Sequence, residues 1–445
     1  MAAIGRTQLM LVALLLTIYA ADGMQMDLES ENAADQLAAL QKDSFSRGSH
    51  WVISLVMLVI VPSYTAPLAI ANRHGLAVIL QIISGAYALL EAIILRFNDP
   101  TGHENKTSRG TAWFLAIFYV ITIFNAGSAY YTLRIYEKLR HSNWRFILAP
   151  LSSTTYKILS CLLVVCGFVK SAINIVALLG FCYDDHTGQC NAHGIMGMSF
   201  VVYGFVMAMM LMIPWLRVNN GKFSQEFYDS TVITVWGIIN TFTEHRPWEP
   251  WSHGDYQHTA MGILFWACGM LGMFLSWGRR RSFLPALTLI FTGYAMSQHA
   301  QHMIVSTKVH AFFGYVLMIG GLARIMEISF LLDDQDAAPD NKIRGFQYAP
   351  SFALMLAGCL FMGATEEQLQ LVVDMGADHS SYTMVLISAA CVLDLWLLST
   401  LQWYLHLSGI STDGYQKLQE EDIELRNLEP AQEQSEFILD SDTEF

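Results

Sequence analysis

The chain has 445 residues, of which 53% are hydrophobic, and its mean hydropathy is positive. A soluble domain of this length needs a larger polar share, so the composition excludes an ordinary soluble protein and indicates that lipid is its main solvent. The formal net charge of -13 belongs largely to the C-terminus, because the segment from Ser411 to Phe445 holds eleven acidic residues against Lys417 and Arg426.

The N-terminus has the pattern of a cleavable signal peptide. Arg6 precedes an apolar run from Leu9 to Ala20, and small residues follow as far as Gly23. We therefore predict a signal peptide at residues 1–23 and a polar lumenal leader at residues 24–49. These segments indicate an integral membrane protein of the secretory or endomembrane system, in the vacuole, Golgi or plasma membrane.

Apolar runs then recur along the chain at the length of a membrane-spanning helix, which is about 20 residues. An eleventh, shorter run contains Asp229 and is the uncertain one. The sequence predicts an all-α, polytopic transmembrane helical bundle of about 11 spans. In chain order the runs are Trp51–Ala71, Gly75–Phe97, Ala112–Leu133, Lys157–Cys182, Ile195–Leu216, the short Phe227–Phe242, His258–Trp277, Ser282–His302, Ala311–Leu332, Tyr348–Gly363 and Tyr382–Leu407.

The charges between the runs predict the orientation of the chain. The basic segments Arg134–Lys157 and Arg279–Arg281 both fall on the cytosolic side only if Phe227–Phe242 crosses the membrane. The N-terminus is then lumenal and the C-terminus cytosolic. Asn105 becomes a lumenal glycosylation candidate, and Cys182 and Cys190 bracket a lumenal loop in which a disulfide can persist.

These features predict a domain order. An N-terminal transmembrane domain at 50–133 is followed by a basic cytosolic loop at 134–156, a C-terminal transmembrane domain at 157–408 and an acidic cytosolic tail at 409–445. The tail carries a loose tyrosine-based sorting pattern at Tyr415, so a cytosolic sorting or scaffold partner is one expectation and an unstructured linker is the other. The remaining partner is the lipid bilayer, and no nucleic acid is expected.

Most histidines fall on the predicted lumenal side, several at span ends. His299 and His302 have the spacing of an i, i+3 pair on one helical face, and His258 and His310 begin neighbouring spans. We predict that these four residues hold haem b or a transition metal ion. Further candidate metal ligands are His245 and His253, and acceptors that orient the imidazoles are Glu244 and Asp255.

The two cofactors require different surroundings. Haem b needs imidazoles from facing helices and small residues that admit its ring, for which the candidates are Gly262, Gly269, Gly293 and Gly314. A metal ion needs three or four nitrogen or carboxylate ligands around one point. For each single histidine, a plain hydrogen-bonded role at the membrane interface is the alternative.

Charged residues inside the spans are a second signal. Lys170 and Asp394 form a candidate buried pair, and Glu91 lies nearer the lumen. Such residues serve as proton or ion relays in transporters, or as ion pairs that join two helices. Arg324 and Glu327 read as a local pair at the membrane interface.

Two distinctive sequence motifs lie between Trp236 and Ile328: WGIINTFTEH and GYAMSQHAQHMIVSTKVHAFFGYV. This part resembles the C-terminal region of the fungal family called yeast putative transmembrane proteins, and His50–Leu133 more loosely resembles its N-terminal domain. The resemblance implies a fungal-type endomembrane protein whose N-terminal part is distantly similar to transmembrane di-haem cytochromes b. Those cytochromes place a haem near each membrane face. Because few histidines fall on the cytosolic side here, the sequence favours one lumenal site over two.

Three functions follow as hypotheses. The first is a membrane redox or metal-handling protein that uses the lumenal histidines. The second is a proton-coupled transporter or a lumenal pH or metal sensor, and the third is a non-catalytic membrane scaffold. The sequence leaves enzymatic activity open.

Overall fold

A computed structural model describes residues 44–95, 105–138, 145–182, 187–217, 222–243, 245, 248, 250–299, 301–332 and 343–409. Every regular element in these ranges is helical, which confirms the predicted all-α class. The predicted signal peptide, most of the leader and nearly all of the acidic tail lie outside the described residues.

The helices fall into two compact units. Unit 1 takes its residues from Met1–Cys190 and Glu366–Asp378, and unit 2 from Asn191–Thr365 and His379–Phe445. The helices, numbered along the chain, are α1 (Ser44–Leu55), α2 (Val61–Ile70), α3 (His74–Ile93), α4 (Lys106–Lys138), α5 (Arg145–Leu179), α6 (Thr187–Met212), α7 (Pro214–Arg217), α8 (Gln225–Thr243), α9 (His253–Leu275), α10 (Leu284–Ser297), α11 (Ile304–Phe330), α12 (Ala349–Met362), α13 (Glu366–Asp374) and α14 (His379–Leu407).

Each of the eleven predicted spans coincides with helical structure in this set. Nine helical segments among the described residues are long and apolar enough to cross a membrane. The other two are α10, an apolar helix of 14 residues, and α8, which has 19 residues and includes Glu226 and Asp229. The chain is therefore a multipass helical membrane protein.

In unit 1, α1 and α2 are joined by a π-helical turn at Val56–Ile60. A Cβ atom at Gly167 of α5 would overlap the Leu58 carbonyl oxygen of this turn, so the glycine allows close approach of the two backbones. Around this contact the apolar core contains Leu58, Tyr87, Leu115, Tyr119 and Leu163.

The helix α5 belongs to unit 1, although the sequence assigned most of it to the C-terminal domain 157–408. Its polar side chains explain the difference. Gln81 on α3 donates from Nε2 to Ser160 Oγ at 3.0 Å and accepts from the Tyr156 hydroxyl at 3.0 Å. Buried polar groups are costly unless they are paired, so these bonds fix α5 against α3.

In unit 2, neighbouring helices pack through small residues. α8 lies along α9, and α10 lies along α11. A second contact joins α11 to α12, where a Cβ at Gly320 would meet Ala353 Cβ at 2.7 Å. Small residues of this kind let helix backbones approach closely inside a bilayer. The largest apolar core of this unit includes Phe313, Leu317 and Leu360.

Candidate functional site

Four histidines of unit 2 form a row, which we name the histidine array: His193, His258, His299 and His310. The ring centres of His258 and His299 are 5.8 Å apart, those of His299 and His310 are 6.3 Å apart, and those of His310 and His193 are 6.0 Å apart. The row ends where His193 stacks on Phe361, at 4.6 Å between ring centres. Three of the four predicted cofactor ligands are therefore neighbours in space.

Two imidazoles of the array are held through Nδ1. His310 Nδ1 lies 2.8 Å from the Ser306 carbonyl oxygen, and His299 Nδ1 contacts Gln257 Oε1. Because both partners are oxygen acceptors, each Nδ1 carries the proton and each Nε2 keeps its lone pair. Histidines that bind metals are oriented in this way.

His302 does not belong to the array. The expectation that His299 and His302 lie on one helical face is wrong, because α10 ends at Ser297 and α11 begins only at Ile304. The backbone N–H groups of Gln298 and His299 turn back to the carbonyls of the last helical turn. The His302 side chain is exposed.

The fourth histidine of the array is His193, where the sequence predicted His302. It lies in the first two turns of α6, at the same kind of span end as His258 and His310. Its position just before an apolar run was the available signal. The spacing argument favoured His302 because it assumed that the preceding helix continued.

The other predicted ligands and supports lie near the start of α9 or outside the described residues. His245 stacks on Trp251 at 4.0 Å between ring centres, and its Nδ1 lies 3.4 Å from Asp255 Oδ2. Asp255 also forms a capping box with Ser252 at the start of α9. Glu244 and the side chain of His253 lie outside the described residues.

The glycines predicted to admit a haem ring lie at helix contacts. A Cβ at Gly262 would meet Thr241 N at 2.8 Å, and a Cβ at Gly269 would meet Thr234 N at 2.8 Å, both across the α8–α9 contact. Gly293 and Gly314 each face the carbonyl oxygen of the other across the α10–α11 contact. Neighbouring helices therefore fill the space beside these glycines.

The array also differs from a closed metal site. Two imidazoles on one tetrahedral ion have ring centres about 5 Å apart, because each metal–nitrogen bond is about 2.0–2.1 Å long. Among the described residues, three ligand atoms lie within 4.8 Å of one another only at Cys182, Cys190 and Glu367. An ion in the array would have to draw the rings closer together.

The structure joins Cys182 and Cys190 of unit 1 in a disulfide, with 5.7 Å between their Cα atoms. Glu367 of α13 accepts a hydrogen bond from the Cys182 backbone N–H at 2.7 Å. Because the disulfide occupies both sulfur atoms, these three residues hold a segment in place and do not form a metal centre in this state.

Comparison with known proteins assigns the chain to a family. Residues 166–405 match a family model described as protein YTP1-like, C-terminal. Protein YTP1 of Saccharomyces cerevisiae is 45% identical over 91% of this chain and 89% of its own length. The chain belongs to the YTP1-like family.

Two more distant matches are also membrane proteins. An uncharacterised membrane protein of Schizosaccharomyces pombe is 26% identical over 47% of the YTP1-like chain and 50% of its own length. Another from S. cerevisiae is 28% identical over 34% of this chain. No solved structure matches significantly. None of these findings bears on the likeness to di-haem cytochromes b, which stays a prediction.

The charged residues of the YTP1-like chain form different pairs from those that the sequence suggested. Lys170 pairs with Glu91 at 2.7 Å between Nζ and Oε1, and both side chains are almost fully buried in unit 1. Asp394 belongs to α14 of unit 2, where its Oδ1 is buried and has no hydrogen-bond partner among the described residues. The predicted pairing of Lys170 with Asp394 is replaced by the pair with Glu91.

Arg324 and Glu327 belong to a larger network than the local pair predicted from their spacing. Arg324 contacts Glu327 at 2.6 Å and Glu226 of α8 at 2.9 Å, and Glu226 also contacts Arg281 at 3.1 Å. This network connects α8, α11 and the segment that precedes α10.

Asn105, the glycosylation candidate, lies at the start of α4. Its Oδ1 accepts a hydrogen bond from Ser108 N at 2.9 Å, which makes it the N-terminal cap of this helix. The side chain therefore has a structural role independent of any glycan.

Proposed function

We propose that this YTP1-like membrane protein binds a transition metal ion at the histidine array and uses it for metal handling or redox chemistry at one membrane face. The observation that carries the proposal is the anchoring of His299 and His310 through Nδ1. This anchoring leaves Nε2 as the unprotonated nitrogen of two imidazoles in the row, and an imidazole held through its other nitrogen is typical of metal ligands.

Imidazole ligands suit zinc, copper, iron and nickel. The array supplies imidazole nitrogens from α6, α9, α11 and the segment after α10, so an ion bound between neighbouring rings would join separate parts of unit 2. The ring centres are about 1 Å farther apart than in a tetrahedral site. The proposal therefore requires the imidazoles to come closer together when the ion binds.

A metal ion is favoured over haem b by the packing around the array. The glycines that were expected to admit a porphyrin contact neighbouring helices instead. His193 also stacks directly on Phe361. A porphyrin would have to separate these groups, whereas a single ion needs only the space between imidazoles.

The proposal includes an orientation. The basic segments of the sequence support a lumen-facing array, a cytosolic tail that meets sorting or scaffold partners, and lumenal glycosylation at Asn105. Such a protein would meet metal ions or electron donors from the lumen of an endomembrane compartment.

Elemental analysis of the full-length protein, purified in detergent, tests the proposal. We expect one equivalent of zinc, copper or iron per chain and no haem band in a reduced minus oxidised absorption spectrum. A haem band with stoichiometric iron would replace the ion with haem b. A folded wild-type protein without metal after reconstitution with each ion would contradict the proposal.

Histidine variants test which residues are ligands. His299→Ala and His310→Ala should each lower metal content at least tenfold, because each removes an oriented nitrogen donor. His302→Ala and His379→Ala remove exposed histidines and should retain the ion. Equal loss in all four variants would show that the ion is not held by the array.

A second candidate function is a lumenal pH sensor, favoured by the spacing of neighbouring imidazoles in the array. Successive imidazoles about 6 Å apart would repel one another when protonated. This function predicts a metal-free protein whose thermal stability falls in acid in the wild type but not in His310→Ala.

A further inference from the structure

An open cleft lies at the end of α9 in unit 2, at the opposite end of this helix from His258. We name it the Arg280 cleft, and the residues that line it are Phe274, Leu275, Trp277 and Arg280. Its volume is about 400 Å³, which is within the range of ~300–1,000 Å³ that is usual for small-molecule sites. The cleft therefore has room for one small ligand group.

The apolar walls of the cleft lie where a membrane span ends. Phe274 and Leu275 are in the last turn of α9, within the candidate span Gly254–Leu275. The Phe274 side chain is 77% exposed, and that of Trp277 is 63% exposed. Tryptophan is enriched where spans reach the membrane surface. We therefore expect the cleft to lie at the boundary between the acyl chains and the headgroups of the bilayer.

Arg280 supplies a positive charge at the edge of these apolar walls. It is exposed, and it forms no ion pair within the part of the chain that the structure describes. Its neighbour Arg281 differs, because Arg281 contacts Glu226 at 3.1 Å and belongs to a buried network. A guanidinium group can bind two phosphate oxygens through parallel hydrogen bonds. Arg280 is therefore the group of the cleft that would select an anion.

A second basic residue is held beside the cleft. The Ser224 backbone N–H donates to the Gly278 carbonyl oxygen at 2.7 Å, so the residues before α8 lie against the residues after α9. Phe223 and Trp277 are 5.2 Å apart between ring centres, and Lys222 Nζ lies 5.4 Å from the Phe223 ring centre. The exposed Lys222 therefore adds positive charge next to the aromatic wall of the cleft.

We propose that the Arg280 cleft binds an anionic phospholipid. The lipid phosphate contacts Arg280, and the upper part of an acyl chain packs against Phe274, Leu275 and Trp277. The basic segment Arg279–Arg281 is predicted to be cytosolic, and the cytosolic leaflet is the one that carries anionic phosphatidylserine and phosphatidylinositol lipids. The location of the cleft and its charge therefore match the same ligand.

A phospholipid fits this surface better than an acidic peptide does. The acidic tail of the chain offers carboxylates that could pair with Arg280. The walls of the cleft, however, belong to the end of a membrane span, where lipid molecules are the immediate neighbours. A ligand that carries an anionic group and an apolar chain contacts the whole cleft, whereas a carboxylate contacts only its basic edge.

Native mass spectrometry of the full-length protein in detergent tests the selection of lipid. Delipidated protein receives dioleoyl phosphatidylserine or dioleoyl phosphatidylcholine, which have the same chains and differ in headgroup charge. We expect phosphatidylserine to bind at least about fivefold more tightly, because each basic residue near an anionic membrane surface strengthens binding by about that factor. Equal binding of the two lipids would overturn the proposal.

Variants of the lining residues test whether this preference belongs to the cleft. Arg280→Gln should lose most of the preference, and Arg280→Lys should keep part of it, because lysine retains the charge without the paired hydrogen bonds. Phe274→Ser should weaken the binding of both lipids, because it removes an apolar wall. A full preference in Arg280→Gln, or unchanged binding in Phe274→Ser, would overturn the proposal.

The matched control is Lys308→Gln. Lys308 is exposed and lies near the start of α11, close to His310 and far from the cleft along the helices. This variant changes the net charge as Arg280→Gln does, and it should bind both lipids as the wild type does. A loss of preference equal to that of Arg280→Gln would show that net charge, not the cleft, selects the lipid.

Thermal unfolding distinguishes a lipid from a free anion. Phosphatidylserine in mixed micelles should raise the melting temperature of the wild-type protein by several degrees more than an excess of inorganic phosphate does. Equal stabilisation by inorganic phosphate would make the cleft a site for a free anion and overturn the proposal. Stabilisation by neither would also overturn it, and the acidic tail would become the next candidate ligand.

Discussion

At the scale of single residues, the histidine array depends on side chains that have no chemistry of their own. Gly314 lies one turn after His310, and its Cα faces the end of α10, two residues before His299. A Cβ added there would meet Ser297 N at 2.8 Å and Ser297 Cβ at 3.0 Å, and it would also press on the Gly293 carbonyl. The glycine therefore keeps two of the histidines at their observed separation.

Gly314→Ala should weaken both the fold and the site. Overpacking of this kind typically costs about 1–3 kcal/mol. Separation of α10 from α11 should also lengthen the distance between the rings of His299 and His310. We expect a lower melting temperature and a clear loss of bound metal, measured by thermal unfolding and elemental analysis.

The matched control is Gly110→Ala on α4, where a Cβ would meet no atom within 4 Å. Helical alanine is favoured over glycine by about 0.5–1 kcal/mol, so this variant should be as stable as the wild type or slightly more stable. Normal metal content in Gly314→Ala would show that the helix contact does not position the histidines.

The residues of the site were only partly predictable from the sequence. His258 and His310 could be found because they begin apolar helices, and a span end is visible in composition. His302 was chosen because of its spacing from His299, and the spacing argument fails where a helix stops. His193 also precedes an apolar run, but it has no histidine close to it in sequence, and its place beside His310 depends on the packing of α6 in unit 2.

At the scale of secondary-structure elements, a buried charge network ties helices of unit 2 together. Glu226 of α8 lies between Arg281 and Arg324, and Arg324 also binds Glu327 one turn along α11. Gln347 donates to Glu327 at 3.3 Å from the short helical turn before α12. Without its arginine partners, α8 would carry the Glu226 charge unpaired into the interior.

Arg324→Ala should strongly destabilise the protein. It leaves Glu226 and Glu327 buried with less compensation, and loss of one partner of a buried pair costs about 3–5 kcal/mol. We expect a large decrease in melting temperature in detergent. The second substitution Glu327→Gln on the same background should recover part of the loss, because it removes an uncompensated charge.

Arg280→Ala is the control for this prediction. Arg280 is exposed and adjoins Arg281, so its removal changes the net charge equally without affecting the buried network. If the Arg324→Ala protein melts at the same temperature as the Arg280→Ala protein, the network contributes little to stability.

The helices were predictable because the thickness of the bilayer sets the length of an apolar run that can cross it. All eleven predicted runs coincide with helical structure. Partner choice was not predictable. Lys170 and Arg324 each bind carboxylates far away in sequence, at Glu91 and Glu226. Such pairs depend on which helices are neighbours, and apolar composition does not encode that.

At the scale of the whole chain, the orientation depends on α8. Contacts run along most of this helix: Gly272 of α9 faces Ser230 near the start of α8, and Gly262 faces Thr241 near its end. Because α8 lies along a candidate membrane span over this length, we expect α8 to cross the membrane as well. Its acidic residues do not oppose crossing, because Glu226 is paired with arginines and Asp229 receives a hydrogen bond from Tyr203.

We therefore expect the segment between α8 and α9 to be lumenal and the segment between α9 and α10 to be cytosolic. A glycosylation sequon in a flexible linker, inserted after Pro250, should be modified in cells, and an endoglycosidase should reduce the mass of the product. The same insertion after Arg279 should stay unmodified, since the basic residues there favour the cytosol. If only the insertion after Arg279 is modified, the orientation of this part of the chain is the opposite of the predicted one, and the histidine array lies on the cytosolic side. Modification only after Pro250 means that the array meets the lumen, where the proposed metal ion must then be supplied.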